Sequence, residues 1–356
     1  MTEKILKVRL AELVVGDIVA KDIYGITGGI LVKKNSEVNN SIMQKLYKCY
    51  NGYIFVYRKV NKGNNINRIN INQIILKEVE DIIDTTAKKF LKENKDIDQI
   101  KKIISEVLNN DSIIKLLITI RPLGENVFNH SINVALYSLC VGKEMFMPYN
   151  RLKVLGTAAI LHDIGMHRVS KDIIYKAQPL NDEEKKILQM HPRYSFEILQ
   201  QKNGINLEIS SIVLQHHERS DGTGYPNGLR NDKIHQMSKI ISICDIFDAL
   251  TSDRPYRQRF EKNESIEYLL SAGENTYSSE IVQGLANSIS IYPFGKWVML
   301  STGEIGIIVN QEEENILNYR PIVMIYIGSN GNELEKPLII DLSLRINDDI
   351  SIEKMI

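Results

Sequence analysis

The sequence is short of most features that tie a protein to a surface. Its 44 basic and 44 acidic side chains cancel, so no overall field draws it to nucleic acid or an anionic membrane, and an anionic ligand has to be held by a local cluster. Cys49, Cys140 and Cys244 are the only cysteines, odd in number and without CxxC spacing. That excludes a disulfide scaffold and suits reduced, buried thiols in a cytosol. No run approaches the roughly 20 apolar residues that span a bilayer, and the opening MTEKILKVRL lacks the apolar core of a signal peptide. The chain therefore reads as cytoplasmic, with neither membrane nor nucleic acid as partner. At 356 residues, 25% of them charged and 43% hydrophobic, it is too apolar for a disordered class and long enough for two or three compact domains.

What is there falls into three textures. Residues 5–60 alternate apolar and polar positions in KVRLAELVVGDIVAKDIYG and GYIFVYRKV, around the helix-like SIMQKLYKCY; this predicts a small β-rich module with one helix. The Asn- and Gly-rich NKGNNINRIN from Asn61 reads as a linker. From about Ile71 apolar residues recur at three- and four-residue spacing, and this helical texture runs to about Ile291. Beyond IYPFGK the pattern returns to strands in KWVMLSTGEIGIIVN, RPIVMIYIG and KPLIIDLSL. The expected fold is mainly α, a helical bundle flanked by a small α+β, β-rich N-terminal domain and a small β-rich C-terminal subdomain. The expected divisions are 1–62, a helical linker over 63–120, a central unit over 121–292, and 293–356.

Of the seven histidines, five, His130, His162, His191, His216 and His217, fall in the helical centre in settings that read as ligands. His162 and Asp163 are consecutive at the end of the apolar VLGTAAILHDIG, where both can turn toward one point and the carboxylate has two oxygens for two ions; Gly165 is placed to terminate that helix. His191 precedes Pro192, so a helix capped by Asn181 and Glu184 should stop or kink there. His216 and His217 end the apolar LEISSIVLQHH, where one would sit on the apolar helix face and the other beside it. Asp245 lies inside KIISICDIFDAL, apolar enough to be buried, where an unpaired carboxylate is costly. Each alone has an ordinary alternative as a satisfied core histidine or a solvated aspartate. Together, five imidazoles and two carboxylates exceed a four-coordinate structural zinc site. They fit two metals bridged by Asp163, with nitrogen and oxygen donors suited to iron, manganese, nickel or zinc. Such a pair is a device for hydrolysis at phosphorus.

The motifs LHDIG with His162-Asp163, HPRYSFEIL from His191, HHERSDGTGYPNGL from His216 and CDIFDALTSDRPYR from Cys244 resemble, in this order, the HD-GYP domain family. The likeness runs from about Asn126 to Tyr292. It implies a helical HD-superfamily core, a two- or three-metal centre with iron or manganese foremost, and hydrolysis of cyclic di-GMP to pGpG or GMP by a metal-bridging hydroxide. It also implies His130, His162, Asp163, His191, His216, His217 and Asp245 as metal ligands, with Asp163 and His162 in the catalytic role, and Asp163 as the bridge. Around them, Arg254 and Arg257 could fork onto phosphate and Tyr225 could stack on guanine or reach a phosphate. Gly224 and Asp221 shape the loop, and Asp248, one turn after Asp245, either orients a ligand or lies on the helix surface. A GGDEF-domain or other signalling protein on the GYP loop and a homodimer through helices 71–120 are the further partners expected.

This sequence departs from the family at Met166, in HDIGMHRVSKD, where family members carry a lysine for the substrate phosphate. His167 or Arg168 is the candidate substitute. At Asn126 some members carry a glutamate that supports a third metal; here Glu125 is one residue off, which favours two metals. Three readings follow: a working cyclic di-GMP phosphodiesterase, a catalytically weak sensor or interaction module, and a phosphohydrolase of another nucleotide.

Overall fold

A computed structural model of the chain describes residues 5–8, 10, 13–25, 29–50, 53–58, 71–91, 97–202, 205–252, 258–273, 276–292, 294–309, 320–347 and 349–356. The expected linker at 61–70 and the pair Arg254 and Arg257 lie outside the described residues.

The alternating runs at the start become β1 (Ile5–Val8), β2 (Ile18–Val19), β3 (Ile23–Tyr24), β4 (Ile30–Val32) and β5 (Ile54–Tyr57), with α1 (Asn40–Cys49) between the last two. Strand β5 is central in a sheet ordered β1-β5-β2, while β3 and β4 form a separate pair. Ile54 and Val56, alternate residues of β5, point to the buried side, as a half-covered sheet requires.

The helical texture becomes α2 (Ile71–Phe90), α3 (Ile97–Leu108), α4 (Asp111–Ile120), α5 (Glu125–Glu144), α6 (Tyr149–Leu161), α7 (Lys171–Ile174), α8 (Asp182–Leu188), α9 (His191–Gln200), α10 (Leu207–Leu214), α11 (Gln236–Thr251), α12 (Lys262–Ser271) and α13 (Ser279–Ser288). Helix α5 is the axis: α2, α6, α11 and α13 all pack on it. Helices α2, α3 and α4 place Ile75, Val79, Ile83, Ile100, Ile104 and Leu117 in the same continuous core as α5 and α6. Three rings lock α2, α5 and α11 together. Phe90, Tyr137 and Phe247 meet edge to face, with centroids 6.1, 6.3 and 5.3 Å apart, the arrangement that ring quadrupoles favour.

Strands β6 (Trp297–Leu300), β7 (Ile305–Ile308), β8 (Ile322–Ile327), β9 (Glu333–Asp341) and β10 (Ile352–Met355) form one antiparallel sheet ordered β10-β6-β7-β8-β9. It buries a small core of its own around Val298, Leu300, Ile308, Val323 and Ile325.

Three local expectations change. Helix α8 does stop before His191, with the Asn181–Glu184 capping box formed, but His191 opens the next helix instead of trailing the last one; Pro192 suits that first turn because its missing N–H would be unpaired there anyway. Helix α10 ends at Leu214, so His216 and His217 stand in the turn beyond it and not on a helical face. Gly165 is no C-cap: α6 ends at Leu161 and residues 164–168 form a 3₁₀ turn. Its reason is contact, since a Cβ there would lie 2.1 Å from the His191 carbonyl oxygen and 2.5 Å from the Ser195 nitrogen.

Phe247→Ala removes the ring shared by α2, α5 and α11, and we expect a loss of about 3–5 kcal/mol, read as a lower midpoint in urea unfolding followed by circular dichroism.

Candidate metal centre

Each histidine of the centre is supplied by a helix end or a helix face that fixes its direction. His162 is the residue after α6, His191 the first of α9, and His216 stands in the turn after α10. In all three, Nδ1 lies against the carbonyl three residues earlier: Ala159 at 2.8 Å, Leu188 at 2.8 Å and Val213 at 2.6 Å. A carbonyl only accepts, so Nδ1 carries the proton and Nε2 presents a lone pair. Those lone pairs converge. His191 Nε2 is 3.3 Å from His216 Nε2 and 3.1 Å from His217 Nε2. His162 Nε2 is fully buried and without a hydrogen-bond partner.

His130, on α5, is oriented across helices instead. Its Nδ1 lies 2.7 Å from Asp248 Oδ2 on α11, and its Nε2 lies 3.1 Å from Asp245 Oδ1. Asp245 and Asp248 are three apart on α11 and so share a face. Asp248 is buried; it is the orienting group, not a surface residue.

Asp163 stands in the middle with one oxygen to each side. Oδ1 is 3.2 Å from His191 Nε2 and 3.8 Å from His216 Nε2. Oδ2 is 3.5 Å from His162 Nε2 and 4.0 Å from His130 Nε2. Three sets of ligand atoms, each within 4.8 Å, follow: His191 with His216 and His217; His130 with His162 and Asp245; and His162 with Asp163 and His216.

The electrostatics match a cation site. Burial opposes ionisation of Asp163, but the fields of His162 and His191 override it and hold the carboxyl well below the usual range. Asp245 is likewise held down, against burial, by the His130 ring beside it. Burial and the neighbouring imidazoles drive His216 well below the ordinary histidine value and push His217 down to about 3. Against burial, the Asp245 and Asp248 carboxylates raise His130 well above the ordinary histidine value and Asp163 raises His191, so this side of the site attracts positive charge. Imidazoles and carboxylates with no thiolate among them form a donor set for borderline divalent metals. Inward-facing ring nitrogens 3.1–3.3 Å apart and an orphaned buried nitrogen are what such an ion would satisfy. The residues present fit the group.

The loop from Arg219 to Arg230 forms one wall. The Tyr225 ring tilts 30° to that of His217 with centroids 4.7 Å apart, and burial pushes its phenol further up, so it stays protonated. Gly224 serves close packing: a Cβ would meet the backbone of His217, Glu218 and Arg219 at 2.4–2.5 Å. Asp221 braces the loop by accepting from the Thr223 amide at 2.8 Å and hydroxyl at 2.7 Å. Sequence reasoning passed over Glu218, whose buried carboxylate accepts from the amides of Asn227 at 2.7 Å and Leu229 at 2.8 Å. It also passed over Ser195, which donates to the His162 carbonyl and accepts from the Gly165 amide, both at 2.8 Å, pinning the turn that carries Asp163. Ser195 lies four residues after His191, on the same helix face, and that spacing was the available signal. Met166 is half-buried against the core. Arg168 is engaged with Glu197 at 2.7 Å and lies over Tyr194, while His167 bonds the Ile164 carbonyl at 3.2 Å.

The HD domain family profile matches residues 77–281, more than half of the chain. The chain is similar to a cyclic di-GMP phosphodiesterase of Pseudomonas aeruginosa, 27% identical over 245 residues that cover 69% of this chain and 58% of the relative. It is 30% identical over 207 residues to a cyclic di-GMP phosphodiesterase of Borreliella burgdorferi, covering 58% and 54%. A 3′3′-cGAMP-specific phosphodiesterase of Vibrio cholerae is 32% identical over 164 residues, covering 46% and 35%. The chain spans about half the length of the first two of these relatives.

Gly165→Ala forces the Asp163 turn away from α9. We expect about 1–3 kcal/mol of lost stability, measured by urea unfolding, together with reduced manganese uptake in equilibrium dialysis.

Proposed function

This chain belongs to the HD domain family, and we propose that it is a metal-dependent phosphodiesterase hydrolysing a cyclic dinucleotide, cyclic di-GMP foremost, to pGpG and onward to GMP. The observation that carries this reading is the Asp163 carboxylate, which turns one oxygen to His191 and His216 and the other to His130 and His162. In this assignment those five residues, with His217 and Asp245, hold two divalent ions, iron or manganese first, nickel or zinc also compatible with the donors. Such ions, when bound, supply positive charge at the phosphoryl group and an acidified water.

The chain's own residues do the rest. Asp163 and His162, held by the 3₁₀ turn and by Ser195, are the catalytic pair in this reading. The protonated Tyr225 hydroxyl donates to a phosphate oxygen, or its ring stacks under guanine, while Glu218 and Asp221 keep the loop in place. Arg254 and Arg257 are assigned to the phosphates by their charge and fork geometry. Hydrolysis adds water across one P–O bond, the new oxygen staying on phosphorus and a proton going to the departing ribose oxygen. Docking of a GGDEF-domain or other signalling protein on the exposed Thr223, Asn227 and Gly228, and a homodimer through helices 71–120, belong to the same proposal.

A second reading rests on Met166. Beside Asp163 it contributes neither charge nor proton, and Arg168 is engaged elsewhere. In that case the protein holds nucleotide and metal but turns over slowly, as a sensor.

The test is incubation of the iron- or manganese-loaded chain, purified without oxygen, with cyclic di-GMP and with 3′3′-cGAMP, products resolved by chromatography. We expect pGpG, then GMP, from cyclic di-GMP, and no product with Asp163→Asn, which removes the shared carboxylate. Binding of cyclic di-GMP without product from the loaded wild type would establish the sensor reading instead. Tyr225→Phe deletes one hydroxyl and should lower kcat/KM by about 10- to 100-fold, the worth of a hydrogen bond to a charged oxygen, in steady-state assays.

A further inference from the structure

One line of polar groups leaves the metal centre and ends on a different helix. Asp248 uses Oδ2 for His130 and Oδ1 for the Asn133 side-chain amide at 2.9 Å. Asn133 in turn receives the Thr86 hydroxyl on its Oδ1 at 2.8 Å. The direction of every bond is forced. An ionised carboxylate only accepts, so Asn133 must show it the NH₂ end. That leaves the Asn133 oxygen facing Thr86, which must donate. At the other end Asp248 fixes the proton on His130 Nδ1 and leaves Nε2 for the ion. Thr86 and Asp248 are both buried, so bulk water is a poor replacement for a lost link.

Helix α2 is held firmly on both sides of Thr86. Toward its start Glu78 pairs with the buried Arg121 at the turn before α5. At its end the Phe90 carbonyl accepts from the Ser290 amide at 2.8 Å, and Lys262 donates to the Lys89 carbonyl at 2.7 Å. Thr86 and Phe90 are four apart, as are Asn133 and Tyr137, so the polar line runs one turn from the Phe90, Tyr137 and Phe247 rings on the same helix faces. Packing thus sets where the Thr86 hydroxyl stands.

We propose that Thr86 is a positioning residue for the metal centre, acting through Asn133 and Asp248 on His130 and therefore on the ion at the His130, His162 and Asp245 side only. The inference rests on the two-metal reading above. His162, His191 and His216 take their direction from local carbonyls and do not depend on α2, so the effect is one-sided. Disturbing α2 then loosens one ion and leaves its neighbour.

The experiment is calorimetric titration of the metal-stripped full chain with manganese(II), for the wild type, Thr86→Val, Thr86→Ser and, as a control on the same helix, the exposed Thr85→Val, with melting temperatures measured alongside. Thr86→Val keeps the shape and loses the donor. We expect it to weaken one of two binding steps about tenfold, the lower end for a group that orients a metal ligand, with the other step unchanged; Thr86→Ser and Thr85→Val should match the wild type. Identical titrations for Thr86→Val and wild type would overturn the inference, as would equal weakening of both steps alongside a lowered melting temperature. A wild type that binds fewer than two ions would instead overturn the two-metal reading itself, and this inference with it.

Discussion

The constraint on which the rest depends is the crowding of imidazole nitrogens around one carboxylate. His191 Nε2 lies within 3.3 Å of the Nε2 atoms of His216 and His217, and between His191 and His216 neither Nε2 can donate to the other while Nδ1 holds the proton. Such an arrangement is unfavourable in a folded protein unless a positive charge sits among the nitrogens. The surrounding features make sense as supports for it: the buried Ser195 behind the Asp163 turn, the close approach at Gly165, and the Glu218 carboxylate that clips the loop bearing Tyr225.

Much of this was legible in the chain, for a physical reason. The candidate ligands come as short local patterns, a His-Asp pair at a helix end, a His-His pair past another, a His before Pro192, and each pattern states a direction as well as a residue type. Helix α11 could be read the same way, because Asp245 and Asp248 share a face whatever they meet. The bundle followed from three- and four-residue periodicity, and the β-rich ends from alternation, because those periods are properties of the backbone itself.

What escaped the sequence depends on pairs far apart in it. Thr86 and Asn133 are 47 residues apart, and Asn133 and Asp248 are 115 apart; no period links them. Gly165 looks like a helix terminator because glycine commonly is one, and only the position of α9 reveals the clash that excludes a side chain. His216 and His217 read as helical because LEISSIVL is strongly apolar, yet the helix stops two residues short and the turn brings both rings inward.

The different ways the histidines are oriented also bear on the order in which the site comes into being. A chain made from its N-terminus completes the carbonyl contacts of His162, His191 and His216 as each helix end forms, since donor and acceptor lie three residues apart. His130 is made before any of them but waits for Asp248, 118 residues downstream. The first of these histidines to be made is therefore the last to be aimed. One half of the centre is set by local turns, the other by the closing of α11 onto α5, and it is the second half that registers whether the bundle has closed.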